Sequence, residues 1–290
     1  AGIRNKMVLA GLSNQYQLMN GLSHFVLVQG SYVDFENPFI TNFENRFESN
    51  YALRTHFNYE KNWDNVSAEW RLGYEGATNP IYIKNYDNNS GIEGNPQNFD
   101  KLRNNSGFYV LSQKLNFNER LFTDISISLN SNAYKWEKIF PTSETGNVKF
   151  KDQWLPNFGM TYVLDKGFSV RGKIGKGNSA PTNEEIRSSN QQFNFHLVPE
   201  YGWNKEIGVR KQFGNTVFVE LNYFDFRMKD AIVRRQNEAG QEYFVNQGNT
   251  VQKGWEFLLE SKRFDLKNAV LSHFKFRFLG SIYDFKFKNY

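Results

Sequence analysis

The amino-acid sequence predicts an all-β protein built around an antiparallel sheet, and three observations support this fold class. Apolar and polar residues alternate with a period of two over long stretches, and tight polar turns recur along the chain. Aromatic residues make up 17% of the composition although the mean hydropathy is only −0.65. Half-buried strands explain this mixture, because one face of such a strand carries bulky apolar side chains while the other carries polar ones.

Composition also excludes several classes of protein. The 290 residues contain no cysteine, which excludes a disulfide framework and a cysteine-based metal or thiol site. No run approaches the roughly 18 apolar residues of a membrane-spanning helix. The net charge of +5 is spread over the strands without a basic block or a basic helix, so we expect no nucleic-acid partner.

The alternation is clearest in four segments, 51–60, 66–75, 121–130 and 274–278. In the first three, one face is mainly apolar and the other mainly polar, which is the pattern of a strand with one buried or lipid-facing side. The apolar sets are Tyr51, Leu53, Thr55, Phe57 and Tyr59; Val66, Ala68, Trp70, Leu72 and Tyr74; and Leu121, Thr123, Ile125, Ile127 and Leu129. In the fourth, Phe274, Phe276 and Phe278 alternate with Lys275 and Arg277.

Tight turns alternate with long polar connections along the chain. We predict tight turns at Asn20-Gly21, Asp64-Asn65, Asn118-Glu119, Asp165-Lys166, Gly214-Asn215 and around Asp265. Of these, Asn-Gly is the strongest hairpin signal, because both residues tolerate a positive φ. Long connections rich in Asn, Gly, Pro and Ser are predicted at 36–49, 76–105, 135–148, 177–200 and 236–249. The resulting unit of strand, turn, strand and loop recurs about every fifty residues, which gives about a dozen antiparallel strands.

The length of the predicted strands indicates a membrane environment. Soluble strands have a mode of about five or six residues, whereas strands of a transmembrane barrel need about nine to eleven. The runs 4–18, 22–35, 106–117, 149–164 and 215–235 all reach the longer figure. Trp63, Trp154, Trp203 and Trp255 fall near strand ends, where the aromatic girdles of membrane barrels lie. A membrane barrel is therefore favoured over a soluble sandwich or propeller.

A series of short motifs in a fixed order strengthens this interpretation. They are Pro156 and Gly159; Ala180-Pro181-Thr182 followed by Glu184 or Glu185; Pro199-Glu200 with Asn204, Glu206 and Gly208; Tyr223-Phe224 with Asp230 and Ile232; and Asn246, Gly248, Gly254 and Glu256. Over 149–261 the chain thereby resembles the C-terminal barrel half of TonB-dependent outer-membrane receptors of the iron-complex, or siderophore, type. Segments 37–44 and 85–88 resemble loop segments of the Bacteroidetes-type members of that family.

The resemblance implies a fragment of a larger barrel. Such receptors form 22-stranded barrels around a plug, whereas about a dozen strands are predicted here. Neither the plug domain nor the TonB box of the family is recognisable in the 290 residues, and Tyr290 does not fall in the apolar set of the last strand. We therefore expect residues 1–290 to form one partial barrel domain, truncated at both ends. Two unpaired edges are not tolerated in lipid, so we expect this part alone not to transport anything.

The resemblance also implies a function, namely active uptake of a scarce substrate such as a ferric siderophore across the outer membrane of a Gram-negative bacterium. Energy would come from the TonB–ExbB–ExbD complex acting through the plug and TonB box. The barrel would need no catalytic residue and no cofactor beyond a ferric chelate as substrate. Outer-membrane lipid and lipopolysaccharide would surround it.

Candidate binding residues lie in the predicted loops. Arginine beside aromatic rings suits an anionic, partly aromatic ligand, although loop packing or contact with lipopolysaccharide is an alternative role for each residue. The substrate-binding candidates are Arg187, Phe193, His196, Arg234, Arg235, Tyr243, Tyr82 and Tyr86. The residues expected to line the lumen and contact a plug are Arg171, Lys173, Glu220, Lys275 and Arg277.

Other functions find less support in the sequence. The segment 172–177 is rich in Gly and Lys but lacks the Gly-Lys-Ser/Thr ending of a phosphate-binding loop. The four histidines do not have the spacing of metal ligands, and we expect no metal site. A passive porin-like or adhesin barrel stays open as an alternative. A hydrolytic barrel enzyme is a further alternative, but no nucleophile–base pair is visible, and we expect no enzymatic activity.

Overall fold

The computed structural model describes residues 2–164, 167–189, 191–214, 216–238, 240–265 and 273–288. Strands account for most of these residues, as the alternation predicts. The first eight are β1 (Arg4–Met19), β2 (Leu22–Pro38), β3 (Phe43–Asn62), β4 (Val66–Asn88), β5 (Glu93–Phe117), β6 (Leu121–Phe140), β7 (Glu144–Lys149) and β8 (Gln153–Val163). Then come β9 (Phe168–Ser179), helix α1 (Asn183–Ile186), β10 (Glu200–Phe213), β11 (Val217–Lys229), β12 (Ile232–Gln236), β13 (Glu242–Asn246), β14 (Asn249–Ser261), β15 (Phe264–Asp265), β16 (His273–Phe274) and β17 (Arg277–Lys288).

Thirteen strands form one antiparallel sheet. Twelve of them follow the order β1-β2-β3-β4-β5-β6-β8-β9-β10-β11-β14-β17, and the thirteenth, β7, pairs with the same edge of β6 as β8 does. The short pairs β12–β13 and β15–β16 lie outside this sheet. Among the described residues, β1 and β17 each pair with a single neighbour, so the sheet is an open wall rather than a closed barrel. The predictions of about a dozen strands and of a partial barrel are confirmed.

The tight turns at Asn20-Gly21, Asp64-Asn65 and Asn118-Glu119 lie where the sequence predicts them, and all three are at one end of the wall. Gly21 has φ of 78°, and Asn118 and Glu119 have φ of 53° and 56°, which are the positive values that a two-residue hairpin turn requires. The predicted turn at Asp165-Lys166 lies outside the described residues, as do Asn215, residues 266–272 beside Asp265, and Tyr290.

Three of the predicted long loops are largely strand, which corrects the sequence analysis. Only 39–42 separate β2 from β3, and only 89–92 separate β4 from β5. The segment 135–148 lies mostly in β6 and β7. The reason is that backbone pairing between neighbouring strands does not depend on side-chain polarity, so the strands continue into a polar region where lipid no longer requires apolar residues.

A break also separates β16 from β17, so the alternating segment 274–278 is not one strand. Lys275 lies in this break and Arg277 begins β17. Both pair with Glu260 at the end of β14, at 2.7 Å and 3.2 Å. These two predicted lumen residues therefore lie at the tight-turn end of the wall and close the β14–β17 connection.

The register separates an apolar face from a polar face. Leu72, Leu111 and Ile127 are aligned on neighbouring strands and are 60%, 53% and 42% exposed. The adjacent row of Arg71, Ser112 and Ser126 points to the opposite face. A cavity of about 660 Å³ lies against the polar face and is lined from β3 to β10. The polar face is therefore concave and the apolar face convex, as in a barrel wall that turns its apolar side to lipid.

The buried core lies at the long-loop end of the concave face. It contains Ile81, Ile83, Leu102, Tyr134, Phe150, Ile186 and Leu197, with Trp136, Val148, Phe193, Phe195, Ile232 and Phe244 packed around them. None of the described helices is long and apolar enough to cross a membrane.

Candidate functional site

The segment 180–199, called the inner loop here, folds back across the concave face between β9 and β10. The Tyr134 hydroxyl of β6 is fully buried and donates to the Pro181 carbonyl at 2.7 Å. Asn104 of β5 donates to the same hydroxyl oxygen at 3.0 Å. Because the core cluster includes Ile186 and Leu197, the loop is held to the wall by apolar packing as well as by these hydrogen bonds.

Local sequence explains how the inner loop turns. Thr182 caps α1, accepting from the Glu185 amide at 3.3 Å, while the Glu185 carboxylate accepts from the Thr182 amide at 2.7 Å. This reciprocal capping box satisfies two amides that a helix start would leave without partners. Of Glu184 and Glu185, it is therefore Glu185 that completes the cap of α1, and this helix carries the chain to Arg187.

Arg187 lies at the centre of the contact between the inner loop and the wall. Its Nε donates to the Asp100 carboxylate at 2.7 Å and its Nη2 to the Asn85 side-chain oxygen at 2.6 Å. The Arg187 and Asp100 side chains are 3% and 2% exposed. A buried ion pair gives little net stability, but losing one partner leaves an uncompensated charge, so the pair fixes the position of the loop.

The Asp100 carboxyl has a shifted pKa. Asp100 lies seventeen residues before the end of β5 at Phe117. Because about nine to eleven residues of a barrel strand cross the hydrocarbon, Asp100 lies outside the membrane-spanning part of β5. Burial raises the pKa of Asp100, and the Arg187 guanidinium opposes this rise. The Arg187 guanidinium thus favours the charged form of Asp100, while burial disfavours that form.

Three aromatic rings stack where the inner loop crosses β6. Trp136 lies 5.2 Å from Phe193 and 4.9 Å from Phe195 between ring centroids, and the two phenylalanine rings are 5.5 Å apart. The interplanar angles are 27°, 15° and 13°, so the rings form a stacked group. His196 follows directly and is exposed.

The β12–β13 hairpin joins the inner loop into one unit. Asn194 donates to the Phe244 carbonyl at 2.6 Å. Asn246 donates to the Val198 carbonyl at 2.9 Å and accepts from the Val198 amide at 2.8 Å. Two predicted loops that are distant in sequence are thereby brought together on the concave side.

The arginines of the hairpin are engaged within the protein. Arg234 pairs with Glu242 across the hairpin at 2.8 Å, and its side chain stays largely exposed. Arg235 donates to Gln247 at 2.5 Å and is aligned with Tyr243. The structure thus assembles Arg187, Phe193, His196, Arg234, Arg235 and Tyr243 in one region, with Arg187 buried and His196 and Arg234 accessible.

Tyr82 and Tyr86 lie elsewhere. Both occupy the even-numbered positions of β4, which belong to the convex face together with Leu72. The Lys84 ammonium lies 5.0 Å from the Tyr82 ring centroid, and the Tyr86 ring lies 5.3 Å from that of Phe99. A substrate held on the concave face would not reach these two rings. The sequence analysis did not assign Tyr82 and Tyr86 to the convex or the concave face, because it treated residues 76–105 as a loop.

A cavity of about 480 Å³ lies between the inner loop and strands β3 and β4. Its acidic residues are Glu44, Glu48, Glu184 and Glu242. Arg46 is shared among three of them, at 3.6 Å from Glu44, 2.7 Å from Glu48 and 3.9 Å from Glu184. Arg187 also lines the cavity but is paired with Asp100, and Glu242 is paired with Arg234. Three carboxylates, those of Glu44, Glu48 and Glu184, therefore share one arginine, and the lining has an acidic excess. Neutral or cationic groups fit this cavity better than carboxylates do.

Near the tight-turn end, the concave face carries a network of charged residues. Arg171 pairs with Glu220 at 2.7 Å and donates to Asn222 at 2.7 Å, while Arg210 pairs with the same carboxylate at 3.0 Å. Lys173 is aligned with Glu206 and lines the large concave cavity. Arg171, Lys173 and Glu220 thus lie on the concave face.

The histidines of β2 and β3 contact side chains of the neighbouring strand. His24 shares a hydrogen bond of 2.8 Å with Thr55, and the His56 ring stacks 4.9 Å from Phe25. In the part of the chain that the structure describes, no group of three or more His, Cys, Asp or Glu side chains could hold a metal ion.

Comparison with known proteins identifies the family. Residues 3–290 match the model of the TonB-dependent receptor-like β-barrel. Because this match covers nearly the whole sequence, the chain belongs to the TonB-dependent receptor β-barrel family. The family consists of receptors rather than enzymes, in agreement with the expectation of no enzymatic activity.

Solved structures share the fold at low sequence identity. The ferric yersiniabactin uptake receptor FyuA from Yersinia pestis matches with a TM-score of 0.73 and 13% identity over 99% of this chain and 43% of its own. The ferric citrate transporter FecA matches with a TM-score of 0.72 and 13% identity over 96% and 43%. The copper transporter OprC matches with a TM-score of 0.67 and 12% identity over 90% and 45%.

The chain spans less than half the length of these solved structures. A comparison with curated protein sequences gave no match. At this level of identity the structural matches show a shared fold.

Proposed function

We propose that this chain forms part of the wall of an outer-membrane receptor that takes up a scarce substrate in a Gram-negative bacterium. The observation that carries the proposal is the family match over residues 3–290. The continuous convex apolar face supports a location in lipid, because lipid-facing and lumen-facing residues alternate along a membrane barrel strand.

Transport in this proposal is active and depends on partners outside the chain. A plug would contact the concave charges at Arg171, Lys173 and Glu220, and the TonB–ExbB–ExbD complex would pull on it through a TonB box. The wall then binds, orients and admits the substrate without chemistry of its own. A passive porin-like barrel would need neither partner.

The proposed substrate is an iron complex. FyuA and FecA are named for ferric complexes, while OprC is named for copper, so a chelated or free metal ion is the shared feature. The acidic excess of Glu44, Glu48 and Glu184 over Arg46 supports a complex of neutral or positive net charge over a polyanionic one. The stacked rings of Trp136, Phe193 and Phe195 offer an apolar surface beside it.

Uptake of radioactive iron by the native bacterium tests the proposal. The gene that encodes the chain is deleted and then restored, and cells receive ferric complexes of negative, neutral and positive charge. Uptake of at least one complex should fall on deletion, return on complementation and stop when an uncoupler removes the proton gradient. Uptake that continues after uncoupling would indicate a passive pore, and an unchanged deletion strain would contradict a receptor for iron complexes.

Two variants separate binding from folding. His196→Ala and Arg234→Ala alter accessible side chains next to the inner loop, so they should weaken substrate binding without changing the thermal stability of the full receptor. Lys135→Gln, on the convex face of β6, is the matched control and should change neither quantity. Equal affinity in all three variants would place the substrate away from the inner loop.

A further inference from the structure

Gln191 has an unusual backbone conformation within the inner loop. Its φ is 60°, and among the described residues of 180–199 it is the only one with a positive φ. Residues with a Cβ avoid this left-handed region, which favours glycine, so contacts elsewhere in the structure must hold the conformation. The backbone amide of Gln191 donates to the Ser188 carbonyl at 2.9 Å, which makes a tight turn at this point of the loop.

The Gln191 side chain is bonded to β5 through both of its polar atoms. Its Nε2 donates to the Gln97 side-chain oxygen at 2.9 Å, and its own side-chain oxygen accepts from the Asn98 Nδ2. The Gln97 Nε2 donates in turn to the Asp87 carboxylate of β4 at 2.9 Å. All four residues are half-buried. The term amide ladder is used below for Asp87, Gln97, Asn98 and Gln191.

A β-bulge brings Gln97 to the inner loop. The register of β4 and β5 shifts twice at this height, between Asn85 and Tyr86 and between Tyr86 and Asn88. These shifts leave Gln97 of β5 and Asp87 of β4 without an aligned partner. Bulges of this kind turn a side chain out of the regular alternation of the strand. The bulge therefore explains why Gln97 reaches the inner loop while it bonds to Asp87.

Gln191 lies near the tip of a short chain reversal within the inner loop. Arg187 and Phe193 form an isolated antiparallel bridge, and the Asn194 amide donates to the Ile186 carbonyl at 2.7 Å. One arm of the reversal thus begins at the buried Arg187, and the other arm leads into the stacked rings through Phe193. A change of φ at Gln191 would rotate the second arm relative to the first.

We propose that Gln191 is a positioning residue whose left-handed backbone is held by the amide ladder. The Arg187–Asp100 pair fixes where the loop is attached, whereas the amide ladder sets the direction in which Phe193 and His196 face the substrate. Gln191 also lines the cavity of about 480 Å³ beside them. The inference rests on the proposed function, because it takes the inner loop to contact the transported substrate.

The direction of the hydrogen bonds gives a specific test. The Asp87 carboxylate only accepts, so Gln97 donates to it and its oxygen is left for the Gln191 Nε2. Gln191→Glu replaces this donor with an acceptor and breaks the bond to Gln97. Adding Asp87→Asn supplies a donor at position 87, so Gln97 can turn over and the bonds re-form in the reverse direction. Asp87→Asn alone keeps an acceptor for Gln97 and is the matched control.

Hydrogen exchange of the full receptor, measured by mass spectrometry, reports how firmly the loop is held. Gln191→Glu should speed exchange of the amides at 191–196 about tenfold, because a half-buried hydrogen-bond partner is lost. Asp87→Asn and the double variant Asp87→Asn/Gln191→Glu should stay within about twofold of the unaltered receptor, since each keeps every bond of the amide ladder. The melting temperature should be the same in all of them, because only a local segment is released.

Affinity for the ferric complex that gives the largest uptake in the assay above is the functional readout. Gln191→Glu should weaken this affinity about fivefold, and the double variant should restore it. Gln191→Gly accepts the left-handed φ without strain but lacks the amide ladder. It should therefore speed exchange and weaken affinity as Gln191→Glu does, although it adds no charge to the cavity.

Three outcomes would overturn the inference. The first is unchanged exchange in Gln191→Glu, and the second is a double variant that recovers neither exchange nor affinity. The third is faster exchange at unchanged affinity, which would show that the amide ladder holds the loop without orienting the substrate surface. A receptor that takes up no ferric complex would contradict the proposed function, whereas recovery of exchange in the double variant is measured without substrate.

Discussion

The guanidinium of Arg187 and the carboxylate of Asp100 form an ion pair at 2.7 Å that joins the inner loop to β5 in a setting almost free of solvent. These residues are 87 positions apart in the sequence. Asn85 of β4 also accepts a hydrogen bond from the same guanidinium, so one side chain links two strands to the loop. The loop is thereby part of the wall rather than a free surface segment.

Arg187→Met should destabilise the protein by about 3–5 kcal/mol, because Asp100 would be left as an uncompensated buried charge. Urea unfolding of the full receptor measures this, together with protease cleavage within 180–199. The double variant Arg187→Met/Asp100→Leu replaces both charges with apolar groups and should recover most of the loss. A double variant as unstable as the single one would show that the charge of Asp100 is not the cause.

Tyr134→Phe should loosen the start of the inner loop by about 1–2 kcal/mol, since the Pro181 carbonyl and the Asn104 amide would both lose their buried partner. Hydrogen exchange of residues 180–189 should rise while that of β10 stays constant. Tyr109→Phe, at an exposed convex position of β5, is the control and should leave exchange unchanged. Equal effects of the two variants would contradict the role of the Tyr134 hydroxyl.

Gly254→Ala should impair folding, because a Cβ at this position would clash with the Tyr283 ring and would lie 2.8 Å from the Phe224 ring and 3.0 Å from the Ile282 carbonyl. Overpacking of this kind costs about 1–3 kcal/mol. The yield of heat-modifiable, folded receptor on gels reports the effect. Gly172→Ala is the matched control, as nothing lies within 4 Å of its added Cβ, and its yield should equal that of the unaltered protein.

Leu111→Lys should destabilise the membrane-inserted receptor by about 2–4 kcal/mol, the cost of a lysine on the lipid face near the bilayer midplane. Leu111 is six residues from the end of β5 and belongs to the convex apolar row. Ser126→Lys, on the concave face of β6, is the comparison and should cost far less. Refolding into lipid vesicles at increasing urea measures both, and a larger loss for Ser126→Lys would reverse the assignment of the two faces.

Local sequence features predicted the wall well. The apolar sets of 51–60, 66–75 and 121–130 all lie on the convex face, and Gly21, Asn118 and Glu119 form their turns with positive φ. These features are local, because strand alternation and turn geometry depend on residues within a few positions of one another. The extent of the strands was underestimated, since polar composition in 76–105 does not prevent backbone pairing.

The candidate site was predicted only in part. The sequence indicated Arg187, Phe193 and His196, but it did not indicate Asp100 or Asn85, which fix Arg187, nor Trp136, which completes the aromatic stack. Asp100 and Asn85 occupy inward positions of β5 and β4, so extending the alternation through 76–105 would have placed them on the concave face. No sequence signal couples them to a loop about a hundred residues later.

By itself, then, the sequence determined the fold class, the faces of segments 51–60, 66–75 and 121–130, the tight turns next to them and the family that its motifs resemble. Only the tertiary structure decided that the inner loop lies against the concave wall, that Arg187 is buried, that Tyr82 and Tyr86 face outward, and that Gln191 bonds to Gln97. The physical reason is that alternation and turns are set between near neighbours, whereas ion pairs, stacked rings and side-chain hydrogen bonds depend on the register that aligns distant strands.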